Sequence, residues 1–188
     1  MNFIKKSIFI LLFVIGWNIN AQSWIDGKCK LITNTKLTGF KDAKDENRLK
    51  LVINQEQKLM ADDQDVSFLD DVQRKEYFYN FIMNPDEQDD LAQIPGKAVV
   101  RVESYGYLEA KKQLISQLRD VYYIIWTDAA VEKYDEEYVN LDCKKREKIQ
   151  KKYPYQVIES VDQKEKRDKN KPPTPMSTPS FEGDVKDN

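Results

Sequence analysis

Asp120-Val121-Tyr122-Tyr123-Ile124-Ile125-Trp126-Thr127 is the stretch on which the fold turns. Its apolar residues run on without a charge between them. A run apolar on both faces reads as a strand at the centre of a sheet, covered from either side. Just before it, Leu108 to Leu118 has helical spacing, with Leu114, Ile115 and Leu118 on one face and Lys111 and Lys112 outside. Earlier still, Ala98-Val99-Val100-Arg101-Val102 predicts a strand over Lys97 to Tyr107, which Gly106 ends or bulges. Residues 97–127 therefore predict strand, helix, strand. That length allows a parallel crossover or a split antiparallel arrangement.

Downstream, Val131, Tyr134, Tyr138 and Leu141 recur at helical spacing, so Ala129 to Lys152 predicts one long helix. Tyr153-Pro154 stops it, and Tyr155 to Ser160 reads as a last edge strand. Upstream, Leu49, Leu51 and Ile53 alternate with more polar neighbours, which predicts a strand over Arg48 to Asn54. Cys29 to Thr33 reads as a short first strand. Thr38 to Asn47 is polar and reads as a loop whose Phe40 tucks back onto the core. Gln55 to Ala61 fits a hairpin return or a helical turn. Asp62-Asp63-Gln64-Asp65 reads as a turn before a short strand at Val66 to Leu69. The aromatic run Lys75 to Met83 predicts a strand with Tyr77, Tyr79, Phe81 and Met83 on one side. Asn84-Pro85-Asp86-Glu87 predicts a helix start, with Asn84 as cap and the acids at the positive end of the dipole, the helix running to about Gln93. The expected fold is a single α+β domain over residues 22–160, with a mixed or antiparallel sheet of five to seven strands and two to three helices.

The ends of the chain read differently. Lys5 and Lys6 precede the apolar run Ile8 to Trp17, and Asn18-Ile19-Asn20-Ala21 follows. That order is that of a secretory signal peptide over residues 1–21, cut near Ala21. The apolar run is about half of the roughly 20 residues that a spanning helix needs. No later stretch approaches that length, so no membrane span is expected in the mature chain. Cys29 lies too far past the apolar run for a lipid-anchored cysteine. Residues 161–188 are charged and proline-rich, with Phe181 the one sizeable anchor, and are expected to be a disordered tail. The expected location is secreted or periplasmic.

Composition closes several routes. The chain has 30 basic and 32 acidic residues, and the first 21 residues hold two of the lysines and no acid, so the mature chain stands at −4. Its acids and bases are interleaved, and no nucleic-acid partner is expected. There is no histidine, which removes Ser-His-Asp and Cys-His catalysis, His-ligated metal sites and the usual near-neutral base. No phosphate-cradling glycine motif is present. Neither metal nor cofactor is expected, and any small-molecule ligand is unknown. The two cysteines, Cys29 and Cys143, are expected to form a disulfide in an oxidising compartment.

The candidate site residues weigh little against their plain readings. Asp62, Asp63, Asp65, Asp70 and Asp71 form an acidic cluster, but an EF-hand register started at Asp63 puts Phe68 and Arg74 where glycine and glutamate belong. Asp86, Glu87, Asp89 and Asp90 suit a helix dipole. Tyr77, Tyr79, Tyr105, Tyr107, Tyr122, Tyr123 and Trp126 are candidates for an aromatic platform binding sugar or peptide, with Tyr77, Tyr79, Tyr122, Tyr123 and Trp126 foremost, against a core with hydroxyl tips at its rim. Asp128, expected at the end of a central strand, is the first carboxylate to inspect, against a plain role as the cap of the next helix. These observations favour an exported bacterial, non-enzymatic binding protein whose partner is another envelope or secreted protein. It would be an accessory subunit of an envelope assembly or an inhibitor of a secreted enzyme. The alternative is a carboxylate-based hydrolase acting on cell-wall or other glycans.

Overall fold

The alternation of Leu49, Leu51 and Ile53 with Arg48, Lys50 and Val52 survives folding as a strict in–out pattern, and the sheet is built around it. A computed structural model describes residues 29–33 and 37–160. In chain order its elements are α1 (Leu37–Asp42), β1 (Arg48–Ile53), β2 (Leu59–Ala61), β3 (Gln64–Asp65), α2 (Asp71–Met83), β4 (Val99–Ser104), α3 (Leu108–Tyr134), α4 (Cys143–Lys152) and β5 (Val157–Glu159). Single 3₁₀ turns sit at Asp45–Asn47, Pro95–Lys97 and Tyr138–Asn140. The fold is α+β, one domain with a mixed five-stranded sheet in the order β3-β2-β1-β4-β5. β1, β4 and β5 are parallel, while β2 and β3 fold back antiparallel. The proposed leader at 1–21 and tail at 161–188 lie outside the described residues.

Two apolar stretches expected as strands are helices. The aromatic run lies in α2, where Phe78, Tyr79, Phe81 and Ile82 are buried at helical spacing. Asp70 starts that helix: its carboxylate accepts from Val72 N and Gln73 N at 2.9 Å, and Gln73 Oε1 accepts from Asp70 N at 3.0 Å. This is a capping box. Asn84 closes the helix in the left-handed region at φ 43°, a conformation asparagine tolerates. It is therefore a C-cap, and no helix follows over residues 85–93.

The run Asp120 to Thr127 lies inside α3, a 27-residue helix. Leu114, Ile115, Leu118, Val121, Tyr122, Ile125, Trp126 and Ala130 are its buried side, stepping by one, three or four. Tyr123 and Ile124 are half-buried against the same core, so the helix is covered over more than one side. That is why the run is apolar all round. The helix stops at Asp135, which takes φ 55°, so the single helix expected over Ala129 to Lys152 is instead the end of α3, a 3₁₀ turn and α4.

Smaller corrections have local causes. Thr38 to Asn47 is helical over most of its length, and Phe40 is buried as expected. Only Thr33 of the expected first strand pairs, through one parallel bridge to Tyr155. Val66 to Leu69 is not a strand; pairing ends at Asp65 after a tight turn in which Asp62 and Asp63 both take positive φ. That turn geometry matches the twist of a two-residue hairpin.

α2 and α3 share the core beneath them with Leu49, Leu51, Ile53, Val100, Val102 and Val157 of the sheet. Along the seam between the helices, Gln117 Nε2 donates to the Asp71 carboxylate at 2.9 Å and Lys75 pairs with Asp120 at 2.6 Å. Both partners advance together along the chain, so the helices run parallel. Trp126 is fully buried and donates from its indole to the Tyr153 carbonyl at 2.8 Å. Cys29 and Cys143 are disulfide-bonded, 114 positions apart. The bond straps residues 29–33 along α4, where Ile32 N donates to Gln150 Oε1 at 2.7 Å.

Candidate functional site

Helices cover one face of the sheet; its opposite face is shared unequally. Register places Arg48, Lys50 and Val52 beside Val99, Arg101 and Glu103, and Val52 beside Met60. At the β4–β5 end, Phe40 of α1 packs on Val99 and Ile158, with Arg48 and Arg101 each 5.8 Å over its ring. Arg101 also pairs with Glu103, whose side chain is almost wholly buried. Among the described residues, the β1–β2 end has no such cover. There Lys50, Val52, Asn54, Gln55, Glu56, Met60, Asp63 and Tyr105 line a shallow, open groove. Its lining is mainly polar and carries both signs of charge, with Val52, Met60 and Tyr105 as its apolar and aromatic members.

Turn chemistry shapes the rim. Asn54 Oδ1 accepts from Glu56 N and Lys58 N, both at 2.9 Å. Asp62 Oδ1 accepts from Lys50 N at 2.9 Å. Tyr107 Oη donates to the Gln55 carbonyl at 2.7 Å. The acidic cluster of the sequence is thereby accounted for in part: Asp62 closes a hairpin, Asp65 accepts from Ser67 N at 2.9 Å, and Asp70 caps α2. Among the described residues, no group of three or more acidic or cysteine side chains is placed to hold a metal ion.

Tyr77, Tyr79, Tyr122, Tyr123, Trp126 and Asp128 do not form one surface. Tyr122 and Trp126 are core residues at 1% and 0% exposure, so neither meets a partner, and the platform reading is corrected for both. Burial drives the Tyr122 phenol far upward. Tyr123 is half-buried, edge-on to Tyr138 at 6.4 Å, and its pKa is raised chiefly by burial. Tyr77 is partly exposed and packs edge-on against Phe78 at 6.0 Å; burial, then the Asp62 charge, raises it.

Tyr79 and Asp128 do come together, further along the α2–α3 seam. Burial pushes Tyr79 up to about 12, reinforced by the charge of Asp128 and by Tyr153. Asp128 is not a helix cap, because it lies well inside α3. The residue is exposed, yet protein atoms crowd its carboxyl, and that desolvation pushes it up to about 6. Solvent access on the open side moderates the effect. A carboxyl so placed can hold or release a proton near neutral pH.

Of the groove residues, the sequence singled out Asp63 in its acidic cluster and Tyr105 among its aromatics; the others were missed. The signal for Lys50 and Val52 was the strand period itself: they look away from the buried partners Leu49, Leu51 and Ile53. Comparison with protein-family models, with curated proteins and with solved structures finds no match to this chain.

Proposed function

We propose that this chain is an exported bacterial protein that acts by binding another envelope or secreted protein, with the open groove on β1 and β2 as its contact. It is then an accessory subunit of an envelope assembly or an inhibitor of a secreted enzyme. The observation that carries the reading is the half of the sheet face left open among the described residues, where Val52, Met60 and Tyr105 line a groove with Lys50, Glu56 and Asp63. A few apolar and aromatic side chains among polar and charged ones of both signs suit a non-obligate protein contact, which is about as polar as the rest of a protein surface. The disulfide supports an oxidising compartment. The test is quantitative pull-down from the native envelope with the wild-type chain and with Met60→Lys and Tyr105→Ala. One stoichiometric partner, lost by both variants, is expected. A partner held equally by all three chains sinks the reading.

The raised carboxyl of Asp128 favours a second reading, a carboxylate-based hydrolase of cell-wall or other glycans. A protonated acid near neutral pH is what leaving-group protonation requires. Glycan cleavage abolished by Asp128→Asn supports it. Equal or absent cleavage in both chains removes it.

A further inference from the structure

α4 reads Cys-Lys-Lys-Arg-Glu-Lys-Ile-Gln-Lys-Lys over residues 143–152. It carries +5 in a chain of net charge −2, so the remainder of the chain stands at −7. Its inward side is Arg146, Ile149 and Gln150. Arg146 belongs to the interior: it donates to the carbonyls of Leu141 and Val139 at 2.9 and 2.5 Å and lies over the Tyr138 ring. The outer side is a row of exposed lysines, Lys144, Lys148 and Lys151, with Lys152 beside them. Their spacing of four and three puts the first three on one line, about 10 Å long at the helical rise.

Local helix energetics do not account for this row. Lys151 and Lys152 suit the negative end of the helix dipole, but Lys144 stands in the first turn, at the wrong end. Like charges four apart oppose the helix. On α2 and α3 several cations are answered: Arg74 by Asp71, Lys75 by Asp120, Lys112 by Glu109. In α4, Lys145 meets Glu136 and Lys151 meets Glu147. Neither Lys144 nor Lys148 forms a close ion pair among the described residues, although Lys144, after Lys145, helps hold the Asp142 carboxyl below its usual range. Exposed Lys30 joins the same side, because it contributes, after Lys151, to holding the Glu147 carboxyl below its usual range. The disulfide to the first residue of α4 is what brings Lys30 there.

We propose that the outer face of α4, with Lys30, seats this protein on an anionic lipid surface. Clusters of four to eight basic side chains are the electrostatic signature of such binding. The shape selects the partner. Among the described residues of α4 there is no aromatic on which a base could stack. Lysines in one line along a helix are well met by a flat layer of phosphate headgroups that move sideways to match them. The groove on β1 and β2 belongs to other elements of the fold, so this inference stands or falls separately from the proposed protein contact.

The test is co-sedimentation of the purified chain, its N-terminus fixed by mass spectrometry, with vesicles of phosphatidylcholine alone or mixed equally with phosphatidylglycerol. Binding to the anionic vesicles only, lost at high salt, is expected. Each lysine removed should weaken binding roughly fivefold, and the triple variant Lys144→Gln, Lys148→Gln, Lys151→Gln by on the order of a hundredfold. A charge-matched control, Lys58→Gln, Lys97→Gln, Lys112→Gln, should bind as the parent does; circular dichroism checks that both variants fold. Equal binding by the two triple variants overturns the proposal, as does equal binding to both kinds of vesicle. Tighter retention on soluble dextran sulfate or duplex DNA than on vesicles of equal charge also overturns it, in favour of a polymer.

Discussion

The two faces of the sheet are made by the same strands and differ only by parity. Leu49, Leu51, Ile53, Val100 and Val102 look toward α2 and α3 and are almost fully buried. Arg48, Lys50, Val52, Met60 and Arg101 look the other way and keep partial access to water. One face is closed by two long helices; among the described residues the other is closed only at one end, by a six-residue helix. Stability is therefore concentrated in one set of alternate residues, and recognition is free to occupy the other. A one-residue slip of register would exchange the two sets.

The sharpest way to break that contrast is a pair of neighbours. Leu51→Ala should cost about 2–5 kcal/mol and Val52→Ala about 1 kcal/mol, read as shifts of the urea midpoint. Equal costs would mean that the open face is covered in solution. Glu103 departs from the contrast, as Val99 and Ile158 do beneath Phe40: it is a buried acid on the open side that pairs with Arg101. Glu103→Ala should cost about 3 kcal/mol, because it strands a guanidinium that is largely out of water. A smaller loss would show that water reaches Arg101 through the groove. On the closed side, Asp70→Ala should remove about 1 kcal/mol by uncapping α2, seen as a lower melting temperature.

The smallest effect is the pH dependence at Asp128. Its folded pKa is raised from 3.8 to about 6, so between those values the folded chain keeps a proton that the unfolded chain has released. Stability must then fall as pH rises through 6. Asp128→Asn should flatten that part of the profile and add up to about 1 kcal/mol at pH 8, after allowance for solvent screening. An unchanged profile would place the carboxyl in open water.

What could be read in advance follows from how local each signal is. β1 and β4 were legible because alternation and β-branched residues mark a strand within a few positions. The runs at Lys75 to Met83 and Asp120 to Thr127 were not, because aromatics pack equally well on a sheet or inside a helix, and a short apolar run carries no period. The deciding signs lay outside the runs: Asp70 with Gln73 three places on, and the steady three-and-four stepping from Leu114 to Ala130. Asn84 misled because asparagine serves both ends of a helix, and a following proline fits either. For the site, Tyr122 and Trp126 could not be told from surface aromatics by composition. The groove depends on where α1 stops covering the sheet, which is a fact of packing and not of any one residue.

The bond between Cys29 and Cys143 also sets an order of events. A chain delivered from its N-terminus presents Cys29 early and must wait for Cys143, by which time β1 to β4 and all of α3 have emerged. Until then the first thiol has no native partner. Any bridge it makes in that interval joins it to another molecule, so the length of the wait, set by the speed of delivery against the supply of oxidant, decides how much of the protein is lost to mixed disulfides.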